Sequence, residues 1–308
     1  MISYAWRTGF APDEERELRE MLAAAAAEDA EAGFPAVSLD QSYGDGASHL
    51  VVRLLPDDRA GQTARSPGGA APVAAYLRIE PAADGGPATA RYVVRPEFRS
   101  RGISTLLVEM LGQDQAAGTA EDAAPLRIWA RGDHPAAQRM ARRFAHLGVR
   151  PARRQWQLLA PLRPGDPTPP IGPAPRPPAG AAEQAAATAL LDGEPMPRQA
   201  EVLVDGTGAP DVAGAVWYDP DAGEPTEYGI AGRILAVRAA GSADPAIQDR
   251  LLATAMASLR DRGLRVAAII VGTDDAVLAR VCRLRGFRHD RTDIEYIVTG
   301  DAGAEVST

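Results

Sequence analysis

Nine of the eighteen residues from Pro161 to Pro178 are proline, a spacing that leaves no room for a helix or a continuous sheet ladder. Each proline fixes φ and removes a backbone donor, so the stretch reads as a semi-rigid linker between two separately folded halves. The length of 308 residues agrees, because one core rarely keeps growing beyond about 250–300 residues. The sequence therefore divides into a first domain at 1–162, the linker at 163–180, a second domain at 181–300 and a tail at 301–308.

Both halves repeat one order of elements. In the first, periodicity and stop signals predict a helix over 14–28, strands over 49–55, 73–80 and 88–94, and a helix over 102–116. A strand over 126–130, a helix over 135–146 stopped by Gly148 and a closing strand over 153–159 follow. In the second half the series is a helix over 182–191, strands over 201–204, 212–218 and 228–237, then a helix over 245–262 stopped by Gly263. A strand over 266–271, a helix over 275–285 stopped by Gly286 and a strand over 293–298 end it. The expected fold class is α/β, a mixed sheet in α+β layers, built twice.

A net charge of −8 and a pI near 5.2 argue against a general nucleic-acid binder, which needs a basic surface. The single cysteine, Cys282, rules out an intrachain disulfide, and no Cys/His cluster has zinc-ligand spacing. The amino terminus lacks the basic and apolar regions of a signal peptide, and no apolar run reaches membrane-spanning length. The expectation is a cytoplasmic, metal-free monomer that engages neither nucleic acid nor membrane.

The chemistry concentrates at Tyr92-Val93-Val94-Arg95-Pro96-Glu97-Phe98-Arg99-Ser100-Arg101-Gly102-Ile103-Ser104-Thr105, which runs from an apolar strand through a basic glycine turn into a helix. A helix start presents unpaired N–H groups and the positive end of a dipole, the natural seat of a phosphate. Arg99 and Arg101 add charge there, Gly102 lets backbone approach the ligand, and the small Ser104 keeps the first turn clear. The pattern Arg-x-x-Gly-x-Ser after Val-x-Pro resembles the acetyl-CoA loop of the GNAT acetyltransferase superfamily, from which Ser104 is a mild departure. The resemblance implies two tandem GNAT-like acetyltransferase domains. Acetyl-CoA would contact Tyr92, Val93, Val94, Arg99, Ser100, Arg101, Gly102, Ile103, Ser104 and Thr105, its pantetheine arm lying where the next strand splays away.

The opening Trp6-Arg7 with Asp13-Glu14-Glu15, and the stretch Arg154-Gln155-Trp156-Gln157-Leu158-Leu159-Ala160-Pro161-Leu162-Arg163, resemble the mycothiol synthase family. That resemblance implies acetyl transfer from acetyl-CoA to the cysteinyl amine of cysteinyl-glucosaminyl-inositol, a small-molecule acceptor. It also implies that Glu227, in Thr226-Glu227-Tyr228, accepts the ammonium proton as catalytic base. Two other uses stay open: acetylation of a different small amine, and acetyl-CoA binding or sensing without turnover. The second half departs from the family, because Arg238-Ala239-Ala240-Gly241 replaces the arginine-glycine loop and Asp244 and Asp249 add negative charge. Weak or absent CoA binding is expected there. The family's phenolic acid aligns with Cys282, and with Phe144 in the first half, which leaves Cys282, Tyr296 and His134 as further proton donors to consider. Asp40, Asp45 and Asp57 lie in acidic loops suited to a cationic acceptor.

Overall fold

The computed structural model describes residues 2–31, 34, 36–39, 46–55, 71–82, 85–116, 125–163, 174–191, 200–206, 212–226, 228–241 and 244–299, with the backbone alone at 110–116, 222, 224 and 225. In chain order the first elements are β1 (Ile2–Arg7), α1 (Pro12–Glu31), β2 (Ser48–Leu54), β3 (Val73–Glu80), β4 (Ala88–Val94), α2 (Ile103–Ala116), β5 (Leu126–Ala130), α3 (Pro135–Arg143) and β6 (Val149–Pro161). The remainder are α4 (Ala181–Ala189), β7 (Glu201–Gly206), β8 (Val212–Thr226), β9 (Gly229–Ala239), α5 (Pro245–Asp261), β10 (Val266–Gly272), α6 (Ala276–Leu284) and β11 (Arg288–Val298). They form two compact units, Met1–Arg153 with Ile294–Thr308, and Arg154–Asp293.

The first unit carries strands in the order β1-β2-β3-β4-β5-β11. Alternation along each strand sends side chains to opposite faces, and the two faces receive different helices. Leu50, Val52 and Leu77 pack with Phe98 and with Ile103 and Leu107 of α2. Val51, Val73 and Tyr76 meet Leu18, Met21 and Leu22 of α1 on the other side. The second unit orders its strands β6-β10-β9-β8-β7. Its largest core joins Leu251, Leu252 and Leu259 of α5 and Leu278 and Val281 of α6 to Val216, Ile234 and Ile269 of the sheet. A second cluster sets Ala187 of α4 against Val204, Ala215 and Trp217.

The units do not coincide with the linear halves expected from the linker. Residues 154–161 of β6 belong to the second unit, because Pro161 to Gln155 pair antiparallel with Val266 to Gly272 of β10. The end of β11 belongs to the first, where Ile294 to Val298 pair with Ala130 to Leu126 of β5. Each unit thus takes its closing strand from the other half of the sequence. Sheet pairing, rather than the proline-rich segment, sets where compactness ends.

Three further corrections concern single elements. Residues 2–7, with Ile2 and Tyr4 packed on one face, form a first strand that pairs with β2. The strand expected to stop at residue 218 continues to Thr226, absorbing Asp219-Pro220-Asp221 through a register break between Asp219 and Glu224. The proline-rich segment is not wholly free of sheet structure either. Arg176, between Pro175 and Pro177, keeps its own N–H and bridges Val204 of β7, its N–H donating at 3.1 Å and its carbonyl accepting at 2.8 Å. Its guanidinium grips Glu183 of α4 bidentately at 2.8 and 2.7 Å, and Glu183 also accepts the Ala179 N–H.

This latch should respond to acid. The Arg176 guanidinium, and next the Ala179 N–H, hold the Glu183 carboxyl down to about 2, against an ordinary value of 4.5. A lowered carboxyl contributes its stabilisation fully above the ordinary value and loses it as pH falls through 4.5 toward 2. Hydrogen-exchange protection of the Val204 amide, corrected for intrinsic rate, is expected to fall over that window. Glu183→Gln should remove the pH dependence.

Candidate functional site

The ten residues that the sequence singles out as cofactor contacts lie together on one continuous β4–turn–α2 path of the first unit. β4 pairs antiparallel with β3 along its length, Ala75 opposite Val94 and Tyr76 opposite Val93. Its parallel pairing with β5 is shorter, running from Ala88 opposite Leu126 to Ala90 opposite Ile128. From Arg91 to Val94 the edge of β4 that faces β5 is therefore outside the ladder. Backbone groups on such an edge can pair with an extended amide-bearing chain as with another strand.

Beyond β4 the chain makes one 3-10 turn at Pro96–Phe98, closed by Phe98 N–H to Arg95 C=O and Arg99 N–H to Pro96 C=O at 2.9 and 3.1 Å. Ser100 and Gly102 then take left-handed conformations, with φ of 62° and 78°. The first bond of α2 is donated by Leu106 to the Gly102 carbonyl at 3.0 Å, so the N–H groups of Ile103, Ser104 and Thr105 precede the helical ladder. Among the described residues, apart from its two chain neighbours, nothing lies within 4 Å of a Cβ placed on Gly102, which leaves its backbone open to approach. Buried side chains anchor this start: Phe98, Ile103 and Leu107 enter the core, and Thr105 donates to Met140 Sδ at 3.4 Å.

The two arginines divide the work unequally. Arg101 is exposed, its guanidinium carbon 5.5 Å from the centroid of the Phe98 ring. Arg99 is turned inward instead, donating bidentately to Asp29 at 2.8 and 3.0 Å, to Glu28 at 3.3 Å and through Nε to the Val94 carbonyl at 3.2 Å. Glu28 and Asp29 occupy the last turn of α1, which carries no basic residue of its own. Acidic groups at a helix carboxyl end are unfavourable without a cation, and Arg99 supplies it. Its expected role as free charge beside a phosphate is thus revised to holding the loop against α1.

Tyr92 projects onto the α2 face of the sheet with its hydroxyl buried. Burial raises the phenol to about 12, and the Ser104 hydroxyl moderates that rise. Ser104, the departure from the usual small apolar residue of the motif, is thereby placed beside the one phenol of this path.

In the second unit the equivalent helix start is occupied from within. Asp244 caps α5, its Oδ1 accepting the Ala246 N–H at 2.8 Å, and Pro245 follows at the first helical position. Asp249, expected to add charge there, is paired instead with Arg285 beyond α6. The second loop therefore presents one carboxylate at its helix start rather than two. Among the remaining candidates, His134 caps α3, its Nδ1 accepting from the Ala136 N–H at 3.2 Å. Cys282 is fully buried, and burial drives its thiol up to about 12, far from a useful acid. Phe144 and Tyr296 are buried.

Glu227 lies outside the described residues, as do Asp40, Asp45 and Asp57. Its described neighbours close the β8–β9 hairpin, Thr226 Oγ1 donating to the Gly229 carbonyl at 2.7 Å, with Tyr228 exposed. Among the described residues no group of three or more His, Cys, Asp or Glu side chains is placed to hold a metal ion. No helix among them is long and apolar enough to cross a membrane.

No family model matches the sequence. The chain is similar to the mycothiol acetyltransferase of Nocardia farcinica, 30% identical over 336 residues that cover 97% of this chain and 99% of the relative. It is also similar to the mycothiol acetyltransferase of Mycobacterium sp. (strain JLS), 34% identical over 162 residues; this match covers 53% of the chain and 46%, about half, of that relative's length. Among solved structures, a tandem GNAT protein from the clavulanic acid biosynthesis pathway superposes with a TM-score of 0.62 at 14% identity, covering 99% of this chain and all of that one. A GCN5-related N-acetyltransferase from Sphaerobacter thermophilus gives 0.59 at 19% identity, covering 99% and 98%. These likenesses establish the fold as α/β with two tandem GNAT-like domains.

Proposed function

The chain belongs to the mycothiol acetyltransferase family, and from that membership we propose that it transfers an acetyl group from acetyl-CoA to the cysteinyl amine of cysteinyl-glucosaminyl-inositol. The observation that carries the reading is the first unit's β4–turn–α2 path, with its strand edge beyond the β5 ladder, two left-handed turn residues and first-turn N–H groups that precede the helical ladder. Pyrophosphate oxygens sit at Ser100–Thr105, Arg101 supplies the exposed positive charge, and the pantetheine arm runs along Tyr92–Val94.

The transfer needs no covalent enzyme intermediate. The acceptor ammonium first gives up a proton, in this reading to Glu227, directly or through water. The freed nitrogen lone pair attacks the thioester carbonyl and the carbonyl electrons move to oxygen; their return breaks the carbon–sulfur bond, and the proton that the nitrogen still carries in excess passes, directly or through water, to the departing sulfur, giving the amide and CoA thiol. Holding amine and thioester together supplies much of the acceleration. The second unit's carboxylate-capped helix start supports weak CoA phosphate binding there. We place the reaction in the cytoplasm, with the chain acting as a monomer.

The test is to incubate the full chain with acetyl-CoA and cysteinyl-glucosaminyl-inositol, following free thiol release and the product by mass spectrometry. A product heavier by one acetyl group, formed faster than with other small amines, is expected. Tight acetyl-CoA binding without acetylation of any amine in a broad panel would overturn the transferase reading in favour of a sensing one.

A further inference from the structure

On the α1 face of the first unit, two side chains that can each carry a proton share one hydrogen bond. His49 of β2 stands with its Nδ1 2.6 Å from the hydroxyl of Tyr76 on β3. Their rings stack at 5.9 Å, and the Phe10 ring meets both edge-on, at 5.1 Å from His49 and 6.5 Å from Tyr76. Tyr76 is 0% exposed, whereas His49 is half-buried and within reach of solvent protons. Burial pushes the Tyr76 phenol up to about 12, a rise that Arg78 opposes and Glu80 adds to. The phenol therefore keeps its proton and needs an acceptor for it, which a neutral imidazole supplies at Nδ1. A protonated imidazole is a donor at both nitrogens and would confront that proton instead.

The charges around His49 disfavour the protonated form as well. Arg78 stands opposite it on β3 and Arg7 opposite it on β1. Among the described residues, the carboxylates of the neighbouring elements are already engaged: Glu14 by Arg7 and Arg53, Glu17 by Arg53 and the Val73 N–H, and Glu80 by Arg78 and Arg91. Burial, and next the Arg78 guanidinium, lower the imidazole from its ordinary value of 6.5. A base lowered on folding costs nothing above its ordinary value, and the folded chain loses stability as pH falls below 6.5.

The pair reaches the turn before α2 through α1. Tyr76 packs with Leu18, Met21 and Leu22 of that helix and with Val93 of β4. The last turn of the same helix grips Arg99 through Glu28 and Asp29. Resting on the reading of this turn as the acetyl-CoA seat, we propose that neutral His49 is a positioning residue for it: His49 seats Tyr76, Tyr76 seats α1 and α1 holds Arg99, so that acid weakens cofactor binding by the first unit. Protonation selects a state in which the pair has parted, and the cofactor selects the state in which it has not.

Hydrogen exchange of the full chain, corrected for intrinsic rate, tests this at pH 7.5 and 5.5, without cofactor and across an acetyl-CoA titration. Protection of the Ile103–Thr105 amides reports affinity in the first unit alone. Because the 3′-phosphate of the cofactor titrates near 6 itself, the imidazole contribution is read as a difference between variants. His49→Asn keeps an acceptor near the Nδ1 position that cannot be protonated, and Tyr76→Phe removes the proton that the imidazole must receive. The natural chain is expected to lose up to about tenfold more affinity at pH 5.5 than His49→Asn, as for an imidazole of ordinary value 6.5 in the parted state. Tyr76→Phe should flatten most of that difference, and the α1 amides of the cofactor-free natural chain should exchange faster in acid. Equal pH profiles in the natural chain and both variants overturn the proposal, as does α1 exchange that is the same at both pH values. If acetyl-CoA leaves Ile103–Thr105 unprotected even at pH 7.5, the cofactor reading of the turn fails instead; acid-accelerated α1 exchange that His49→Asn abolishes would still assign His49 its seating role.

Discussion

Gly102→Ala is expected to weaken acetyl-CoA binding by about tenfold or more, roughly the loss of one charge-assisted hydrogen bond. Two separate costs meet at this residue. The backbone is held at φ 78°, where a Cβ is disfavoured by about 1–2 kcal/mol. Among the described residues, apart from its two chain neighbours, nothing lies within 4 Å of the added methyl, so it would intrude instead on the side from which a phosphate approaches. Gly102→Asn separates the two, because asparagine tolerates the left-handed region better than alanine but still projects a side chain. Calorimetry should find affinity reduced in both variants, while thermal unfolding should find most of the stability restored in Gly102→Asn. Full affinity in both variants would show that phosphates do not sit at this turn.

Gly214→Ala in β8 should be the most destabilising small substitution in the second unit. The new methyl would stand 2.7 Å from the Arg238 carbonyl oxygen, 2.7 Å from Ile247 Cγ2 and 2.9 Å from Leu251 Cδ1. The carbonyl belongs to β9, whose pairing with β8 on both sides of this point prevents it from yielding. Overpacking of this kind costs about 1–3 kcal/mol, a drop in Tm of roughly 2–10 °C for a domain of this size. Gly180→Ala is the control. Its φ of 177° is ordinary extended backbone, nothing among the described residues beyond its chain neighbours lies within 4 Å of an added Cβ, and its effect should stay within about 0.5 kcal/mol. Equal Tm values for the two variants would contradict the close seating of α5 on β8.

Much of this architecture is legible in the residues because it rests on local signals. The glycine turn after an apolar strand, the helix stops at Gly148, Gly263 and Gly286, and the repeated strand–helix–strand order all operate within a few positions. What escaped reading depends on partners distant in sequence. Arg99 reads as a phosphate ligand until Asp29, 70 residues earlier, is found beneath it. The apolar run Trp156 to Ala160 satisfies a strand pattern equally well beside β5 or β10, and only three-dimensional pairing with Val271 to Ala267 decides. The alternation of Ile2, Tyr4 and Trp6 was a usable signal for β1. Pro220 hid the length of β8, since a proline inside a strand reads as its end unless a bulge receives it.

The crossing of closing strands has a bearing on how the protein is made. Unit one is missing its last strand until Ile294 has emerged from the ribosome, after the 140 residues Arg154–Asp293 have been made. At about 5–20 residues per second, that delay is roughly 7 to 28 s. Throughout it β5 offers an unclaimed edge to any extended chain nearby, including the Trp156–Ala160 run that will later join β10. Truncation at the proline-rich segment would make that temporary condition permanent, so neither half is a sound expression fragment.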